Sequence, residues 1–425
     1  MLYHLFEWFR AEEIRFPGSE LFRFITFRVL LAVILSLILS TIFGKKIINI
    51  LLRKQVGETV RDLGLEGEQS KKGTPTMGGL IIILAILIPT LLLANLEKVY
   101  IRLMIISTVW LAIIGFIDDY LKLRSKRIAK QKDVPYSKGD SDGLAAKFKV
   151  FGQVMLGIIV GATLYFNPSV KIWREYQGIP KAGDSTVLHR IVDGKQKFFV
   201  EAKDPITTIP FVKGHEFNYA KLLPVGLRDY TWILYIAIVI FIITAVSNGS
   251  NITDGLDGLV TGTSAIIGVC LGIFAYASGN LFFAEYLNIM YIPNLGELSI
   301  FIGAFVGACV GFLWYNSYPA QVFMGDTGSL TLGGIIAALA IIVHKELLIP
   351  IICGVFLVES LSVMIQVGYF KFTKKKYGEG RRIFLMSPLH HHYQKAGYHE
   401  AKIVTRFWIV TVACVVFSIV TLKLR

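Results

Sequence analysis

The stretch Asn248-Gly249-Ser250-Asn251-Ile252-Thr253-Asp254-Gly255-Leu256-Asp257-Gly258 interrupts an oily sequence with two amides, two carboxylates and three glycines. An apolar run, Tyr230 to Val246, leads into it, and another begins at Leu259. Each is near the ~20 residues that carry a helix across a bilayer, so the polar stretch falls at a membrane boundary. Its polar residues stand at 248, 251, 254 and 257. On a helical or 3₁₀ backbone that spacing of three sets them along one side. Asn, Asp and Gly together also make Asx-type turns, but a turn needs two such residues rather than four at fixed spacing. Carboxylates at this depth are costly unless they hold something, which points to a ligand site.

The rest of the chain has the same character. Of its 425 residues 54% are hydrophobic and 17% charged, against about 25% charged in a soluble domain, and the mean hydropathy is +0.59. The expected fold class is an all-α polytopic membrane protein with about ten transmembrane helices, near 24–44, 78–96, 101–121, 148–166, 230–247, 259–278, 299–315, 329–344, 347–370 and 404–422. The start is polar and lacks a small-residue cleavage site, so no cleavable leader is expected. Cys270, Cys309, Cys353 and Cys414 lie inside apolar runs without metal or disulfide spacing and read as buried hydrophobes.

The net charge of +14 gathers in short loops after the odd-numbered spans, for example Lys45, Lys46, Arg53, Lys122, Lys149, Lys374 and Lys375. This pattern points to anionic headgroups or a polyanionic substrate and not to nucleic acid. By the positive-inside rule those loops are cytoplasmic and both termini periplasmic. The chain is expected to form a single domain over 1–425, with a small β-rich periplasmic insert at 167–229. Within the insert, Val187–Val192 and Lys195–Val200 read as two strands joined at Asp193-Gly194. His189 and His215 there read as surface histidines. His344, beside Lys345 and Glu346 in a loop facing away from the polar clusters, reads as solvated.

Four further polar clusters land on the cytoplasmic side, although lysine and arginine alone set the orientation. Lys71-Lys72-Gly73-Thr74-Pro75-Thr76-Met77-Gly78-Gly79 offers hydroxyls and ammonium groups to a phosphate but matches no standard P-loop. A plain helix start with lipid-facing lysines is the alternative. Asp118-Asp119 closes span three; adjacent helical residues diverge by about 100°, so the two carboxylates should have different roles. At a helix C-terminus they gain nothing from the macrodipole. Asn316 through Phe323 to Asp326 precedes span eight, where Asp326 either caps the helix or holds a metal that bridges a phosphate. Ser387-Pro388-Leu389-His390-His391-His392 follows span nine. Three consecutive histidines diverge around a helix, so one or two contacting phosphate is more consistent than a His₃ metal site. Carboxylates, bases and amides on one face suit Mg²⁺ and phosphoryl chemistry, with a lipid as the second reactant.

Taken together, Gly73–Gly79, Asp118-Asp119-Tyr120, Asn251–Gly258, Phe323–Asp326 and Ser387–His392 resemble the polyprenyl-phosphate N-acetylhexosamine-1-phosphate transferases. The Thr-Pro-Thr-Met-Gly-Gly and Ser-Pro-Leu-His-His-His signatures select the phospho-N-acetylmuramoyl-pentapeptide transferase branch. The resemblance implies a Mg²⁺-dependent transfer from UDP-MurNAc-pentapeptide to undecaprenyl phosphate, giving lipid I and UMP at the bacterial inner membrane, with membrane lipid as surroundings and a homodimer among the assemblies. It makes Asp326 the metal ligand and puts Asp118, Asp119 and His390 with it in the catalytic group. Lys71, Thr76, Asn251, Asp254, Gly255, Asp257, Asn316, Phe323 and His391 would bind substrate, with Phe323 stacked on uracil. The insert departs from the shorter external hairpin usual in the family. A sister enzyme using UDP-N-acetylglucosamine lacks the histidine triplet, and a transporter would place its acids near the bilayer midplane.

Overall fold

A helix that is apolar on every side belongs at the centre of a bundle, and Gly325–Ile342 is such a helix. Of its membrane-length window 89% is buried, against 22% for Ile25–Arg53 at the rim. The structure is a computed structural model describing residues 1–14, 16–54, 73–131, 146–175, 187–192, 195–209, 216–287 and 289–421. Lys71, His215 and the Asp193-Gly194 turn lie outside the described residues.

The helices are α1 (Leu2–Ala11), α2 (Ile25–Ile38), α3 (Gly44–Arg53), α4 (Gly79–Leu93), α5 (Val99–Gln131), α6 (Ala146–Phe166), α7 (Thr231–Thr253) and α8 (Leu259–Ser278). They continue with α9 (Leu281–Leu287), α10 (Leu298–Asn316), α11 (Gly325–Ile342), α12 (Ile349–Ile352), α13 (Gly354–Tyr377), α14 (Leu389–Lys395) and α15 (Glu400–Val420). A π-helical turn at Leu39–Phe43 joins α2 and α3 into one rod. Among the described residues, nine helices are long and apolar enough to cross a membrane, and α4, with 15 residues, is a shorter apolar one. Each expected apolar segment is therefore helical, with shifted ends. The ninth segment breaks at α12 and Cys353 and regains its length in α13, whose Lys374–Lys376 end favours the helix macrodipole. The cysteines carry no disulfide, and three of the four are buried.

α11 packs against α5, α7, α4 and α8, while α10 packs against α2, α8 and α4. The α4–α11 contact needs glycine: a Cβ on Gly79 would come 2.3 Å from the Gly328 nitrogen. At the far end of α4, Arg28 donates to the Leu93 carbonyl (3.1 Å) and pairs with Glu297 in a buried ion pair. A helix carbonyl in hydrocarbon must find a donor within the protein, and Arg28 supplies one.

The insert forms β1 (Ile172–Glu175), β2 (Val187–Val192), β3 (Lys195–Ala202), β4 (Ile206–Thr208) and β5 (Glu216–Asn218). The first three make an antiparallel sheet in the order β1-β3-β2, and β4 pairs with β5. The β2–β3 pairing agrees with the sequence expectation; the other strands were not foreseen. The insert is bolted to the helices. Thr208 N donates to the His344 carbonyl (3.1 Å), His344 Nδ1 donates to the Ile206 carbonyl (2.6 Å), and Lys345 Nζ reaches Thr208 Oγ1 (2.7 Å). Tyr219 donates its hydroxyl to Glu346 Oε1 (2.8 Å).

His344 is thus not the solvated loop residue expected, because β4 closes over it and leaves it buried. Burial pulls the imidazole down to about 4 and the Lys345 ammonium down to about 8, and it pushes the Glu346 carboxyl up to about 7. Replacing Tyr219 with Phe leaves a buried carboxyl oxygen without its donor. It should cost about 1–3 kcal/mol and raise proteolytic nicking of 167–229 at constant helical content, read by limited digestion and circular dichroism.

Candidate active site

α5 delivers Asp118 and Asp119 to one end of the bundle, and their different directions give them different partners. Asp118 is fully buried and faces two ammonium groups, Lys122 one helical turn on (2.7 Å) and Lys149 of α6 (2.8 Å). Asp119 turns to the first turn of α11, where it accepts from Asp326 N (3.1 Å), Thr327 N (2.9 Å) and Thr327 Oγ1 (2.6 Å). The cap of the central helix is therefore supplied from another helix, since its own N-cap residue, Met324, makes no side-chain capping bond, and the Asp326 carboxylate turns to the lysines. The Asp326 side chain is free to join Asp118 instead, through contacts with Lys122 (3.0 Å) and Lys149. One oxygen from each of Asp118, Asp119 and Asp326 lies within 4.8 Å of the others. With every carboxylate ionised, two ammonium groups against three carboxylates leave one negative charge in excess, in surroundings where Coulomb forces are weakly screened. An all-oxygen set of this kind fits a hard divalent cation.

The turn before α11 is held by the chain ahead of α4. Phe323 N donates to the Pro75 carbonyl (2.8 Å), Gly78 N to the Phe323 carbonyl (2.8 Å) and Gly79 N to the Met324 carbonyl (2.9 Å). This places Thr76 Oγ1 and Asp119 Oδ2 against Gly325 and leaves the Phe323 ring half-buried.

The Asn248–Gly258 stretch divides in two. α7 runs through Asn248 and Asn251 and ends at Thr253, with Asp254 as its C-cap. Asn248 bonds Gln153 of α6 (2.9 Å), and Asn251 Oδ1 accepts from Ser329 of α11 (2.9 Å). Asp257 lies past the helix end, so the four polar side chains do not share one side as the spacing suggested. It is buried, accepts from Ala320 N (3.0 Å), and gives its own N–H to Glu400 Oε1 (2.7 Å). Asn316 is buried too; its oxygen accepts from Thr261 (2.8 Å) and its NH₂ donates to the Val322 carbonyl (3.0 Å). Asp257 and Asn316 therefore brace the loop that carries Phe323.

The three histidines take different partners, although the His390 and His391 rings stay close, 4.2 Å between centroids. His391 Nδ1 meets Gln394 (2.7 Å), and His392 Nδ1 accepts from Leu385 N (3.1 Å). His390 is fully buried; its backbone N–H and its Nδ1 both bond Glu359, at 3.1 and 3.0 Å. Among the described residues its Nε2 has no hydrogen-bond partner; it lies over Gly255, where a Cβ would come within 2.1 Å of it. Gly255 is thus the one residue type that lets the histidine approach the α7–α8 turn. Contacts run unbroken from Asp326 along α11 to Ser329, to Asn251, and on through Gly255 to His390.

Sequence reasoning had not singled out Lys122, Lys149, Glu359 or Glu400 as site residues. Lys122 had a signal, four residues after Asp118 on one helix, and Glu359 had another, an acid inside a membrane-length apolar run. Lys149 and Glu400 reach the site by tertiary packing; Lys149 was marked only as one of several basic loop residues, and nothing local marks Glu400.

A membrane-embedded group transferase is the class that this helix bundle and this oxygen-rich, lysine-flanked centre define. A family model described as glycosyl transferase family 4 matches residues 101–344, and signature 1 of the phospho-N-acetylmuramoyl-pentapeptide-transferases matches residues 71–83. The chain is 58% identical to the phospho-N-acetylmuramoyl-pentapeptide-transferase of Flavobacterium psychrophilum over 428 residues. It is 59% identical to that of Flavobacterium johnsoniae over 432 and 53% to that of Parabacteroides distasonis over 444, with all of both chains covered in each case. The chain belongs to the phospho-N-acetylmuramoyl-pentapeptide-transferase family, which makes lipid I for peptidoglycan. End-to-end coverage at nearly equal length also means that the 167–229 insert has counterparts in the two Flavobacterium relatives.

Because Asp119 caps α11 from outside, Asp119→Ala should lower stability by about 1–2 kcal/mol, the cost of a lost helix cap. Asp326→Ala removes no cap and should not show that loss. Denaturant titration of the two detergent-solubilised variants separates the roles.

Proposed function

We propose that this chain transfers phospho-N-acetylmuramoyl-pentapeptide from its UDP derivative to undecaprenyl phosphate, releasing UMP, at the cytoplasmic face of the bacterial inner membrane. The observation that carries the reading is the meeting of Asp118, Asp119 and Asp326 with Lys122 and Lys149 at one end of the bundle. Lys374–Lys376 close α13, the helix whose Glu359 holds His390 against Gly255, and this basic helix end supports a cytoplasmic orientation.

The cofactor is Mg²⁺, with Asp326 as the first ligand and Asp118 beside it; when bound it supplies charge neutralisation and Lewis-acid polarisation of the phosphoryl group. Asp119 acts mainly by fixing the helix that presents Asp326. Lys122 and Lys149 add positive charge where negative charge develops. Phe323 stacks on the uracil, while Asn251, Asp254, Lys71 and Thr76 hold the nucleoside end of the donor. Gly255 gives His390 Nε2 access to the phosphate region, and His391 contacts substrate beside it. Asp257 and Asn316 serve substrate binding through the loop they brace.

A phosphate monoester has a second pKa near 6, so the acceptor is largely anionic at neutral pH and needs little help from a general base. Its oxygen attacks the β-phosphorus of the donor, the bond to the UMP oxygen breaks, and UMP leaves. Positioning and charge neutralisation then carry the rate, as in other phosphoryl transfers.

UMP release with both substrates should fall at least about a hundredfold in Asp326→Ala, the scale of a lost electrostatic stabiliser; unchanged turnover would refute the metal assignment. Direct attack predicts no radiolabelled protein when enzyme meets β-³²P donor alone. A trapped phospho-aspartate would replace it with a two-step route.

A further inference from the structure

We infer that Lys122 and Lys149 are exchange cations, which neutralise the carboxylate cluster until a divalent cation binds and are then handed over to the donor's phosphates. The inference deepens the metal reading above and rests on it. Its basis is the convergence of both ammonium groups on the same two atoms. Lys122 Nζ lies 2.7 Å from Asp118 Oδ2 and 3.0 Å from Asp326 Oδ2, and Lys149 Nζ lies 2.8 Å from Asp118 Oδ2 and also contacts Asp326 Oδ2.

A dication ligated by these oxygens would stand about 2.1 Å from them, inside the shell the ammonium groups fill. At such separations the repulsion between a dication and an ammonium is large even at a high effective dielectric, so both cannot keep the same oxygens. Asp119 offers the lysines no ready alternative, because its oxygens already accept from the first turn of α11.

The charges decide where the lysines go. With them in place, and every carboxylate ionised, the cluster keeps one negative charge in excess. Adding a dication turns that into an excess of one positive charge, which a polyanionic donor satisfies. Both side chains reach solvent, Lys122 at 34% and Lys149 at 17% exposure, whereas Asp118 does not at all. A lysine, a compact charge on a flexible stem, can swing to that open side without moving its helix.

The test compares four substitutions by two binding measurements of opposite sign, on the full chain in detergent. Lys149→Gln should bind Mn²⁺ alone roughly three- to tenfold more tightly than wild type, read by electron paramagnetic resonance, since a competing cation is gone. At saturating Mn²⁺ the same variant should bind UMP roughly tenfold more weakly, because a charged partner for phosphate is lost. Lys122→Gln should repeat the pattern and Lys149→Arg, which keeps the charge, should not tighten Mn²⁺ binding.

Unchanged or weaker Mn²⁺ binding in both glutamine variants overturns the exchange, and unchanged UMP binding overturns the hand-over. Asp326→Asn separates this from the parent reading. If it binds Mn²⁺ as well as wild type, the metal assignment fails; if it loses Mn²⁺ while the lysine variants do not tighten, only the exchange fails.

Discussion

The carboxylate of Asp119 on the first turn of α11 joins the two helices that the site depends on. α11 is the hub of the bundle, and its N-terminal amides face a region where unpaired donors are costly. Three hydrogen bonds from Asp326 N, Thr327 N and Thr327 Oγ1 satisfy them with a side chain from α5. The same bonds set the register between the helices, and so the distance from Asp118 to Asp326. One acidic residue thereby frees its neighbour on α5 and its counterpart on α11 to face the two lysines. The Pro75–Gly79 segment locks the arrangement from the other side by pairing with Phe323 and Met324.

Much of this was legible in the sequence because a bilayer imposes simple rules. Apolar runs of the right length became helices, and the strands expected at 187–192 and 195–200, either side of an Asp-Gly pair, lie antiparallel to each other. The divergence of Asp118 from Asp119 follows from helical geometry alone and was foreseeable, as were the separate partners of the three histidines. What stayed hidden was chemistry delivered by packing. Lys149 arrives on α6 and Glu359 on α13, far from their partners in sequence; a basic loop marked the first and an acid in an apolar run the second, but neither signal named a partner. Helix α1, ten residues of mixed aromatic and charged character, is too short to stand out as periodic.

The insert shows the limit from the other direction. A histidine, a lysine and a glutamate in a row read as a solvated loop, since nothing in His344-Lys345-Glu346 states that Ile206–Thr208 will cover it. In the fold these three and Tyr219 form a buried polar joint between the sheet and the helices. Buried polar contacts of this kind fix position better than they add stability, which suits a part that must sit in one place.

The short helix α4 has a consequence for the membrane itself. Fifteen residues span about 22 Å at 1.5 Å each, less than the ~30 Å of a typical hydrocarbon core. Its flank at Leu84, Ile88 and Leu91 is exposed, so lipid beside it faces a hydrophobic mismatch. A bilayer meets a short segment by thinning locally. Such thinning would draw the headgroup plane along α4 toward the close contact of Gly79 with Gly328, in the first turn of the central helix.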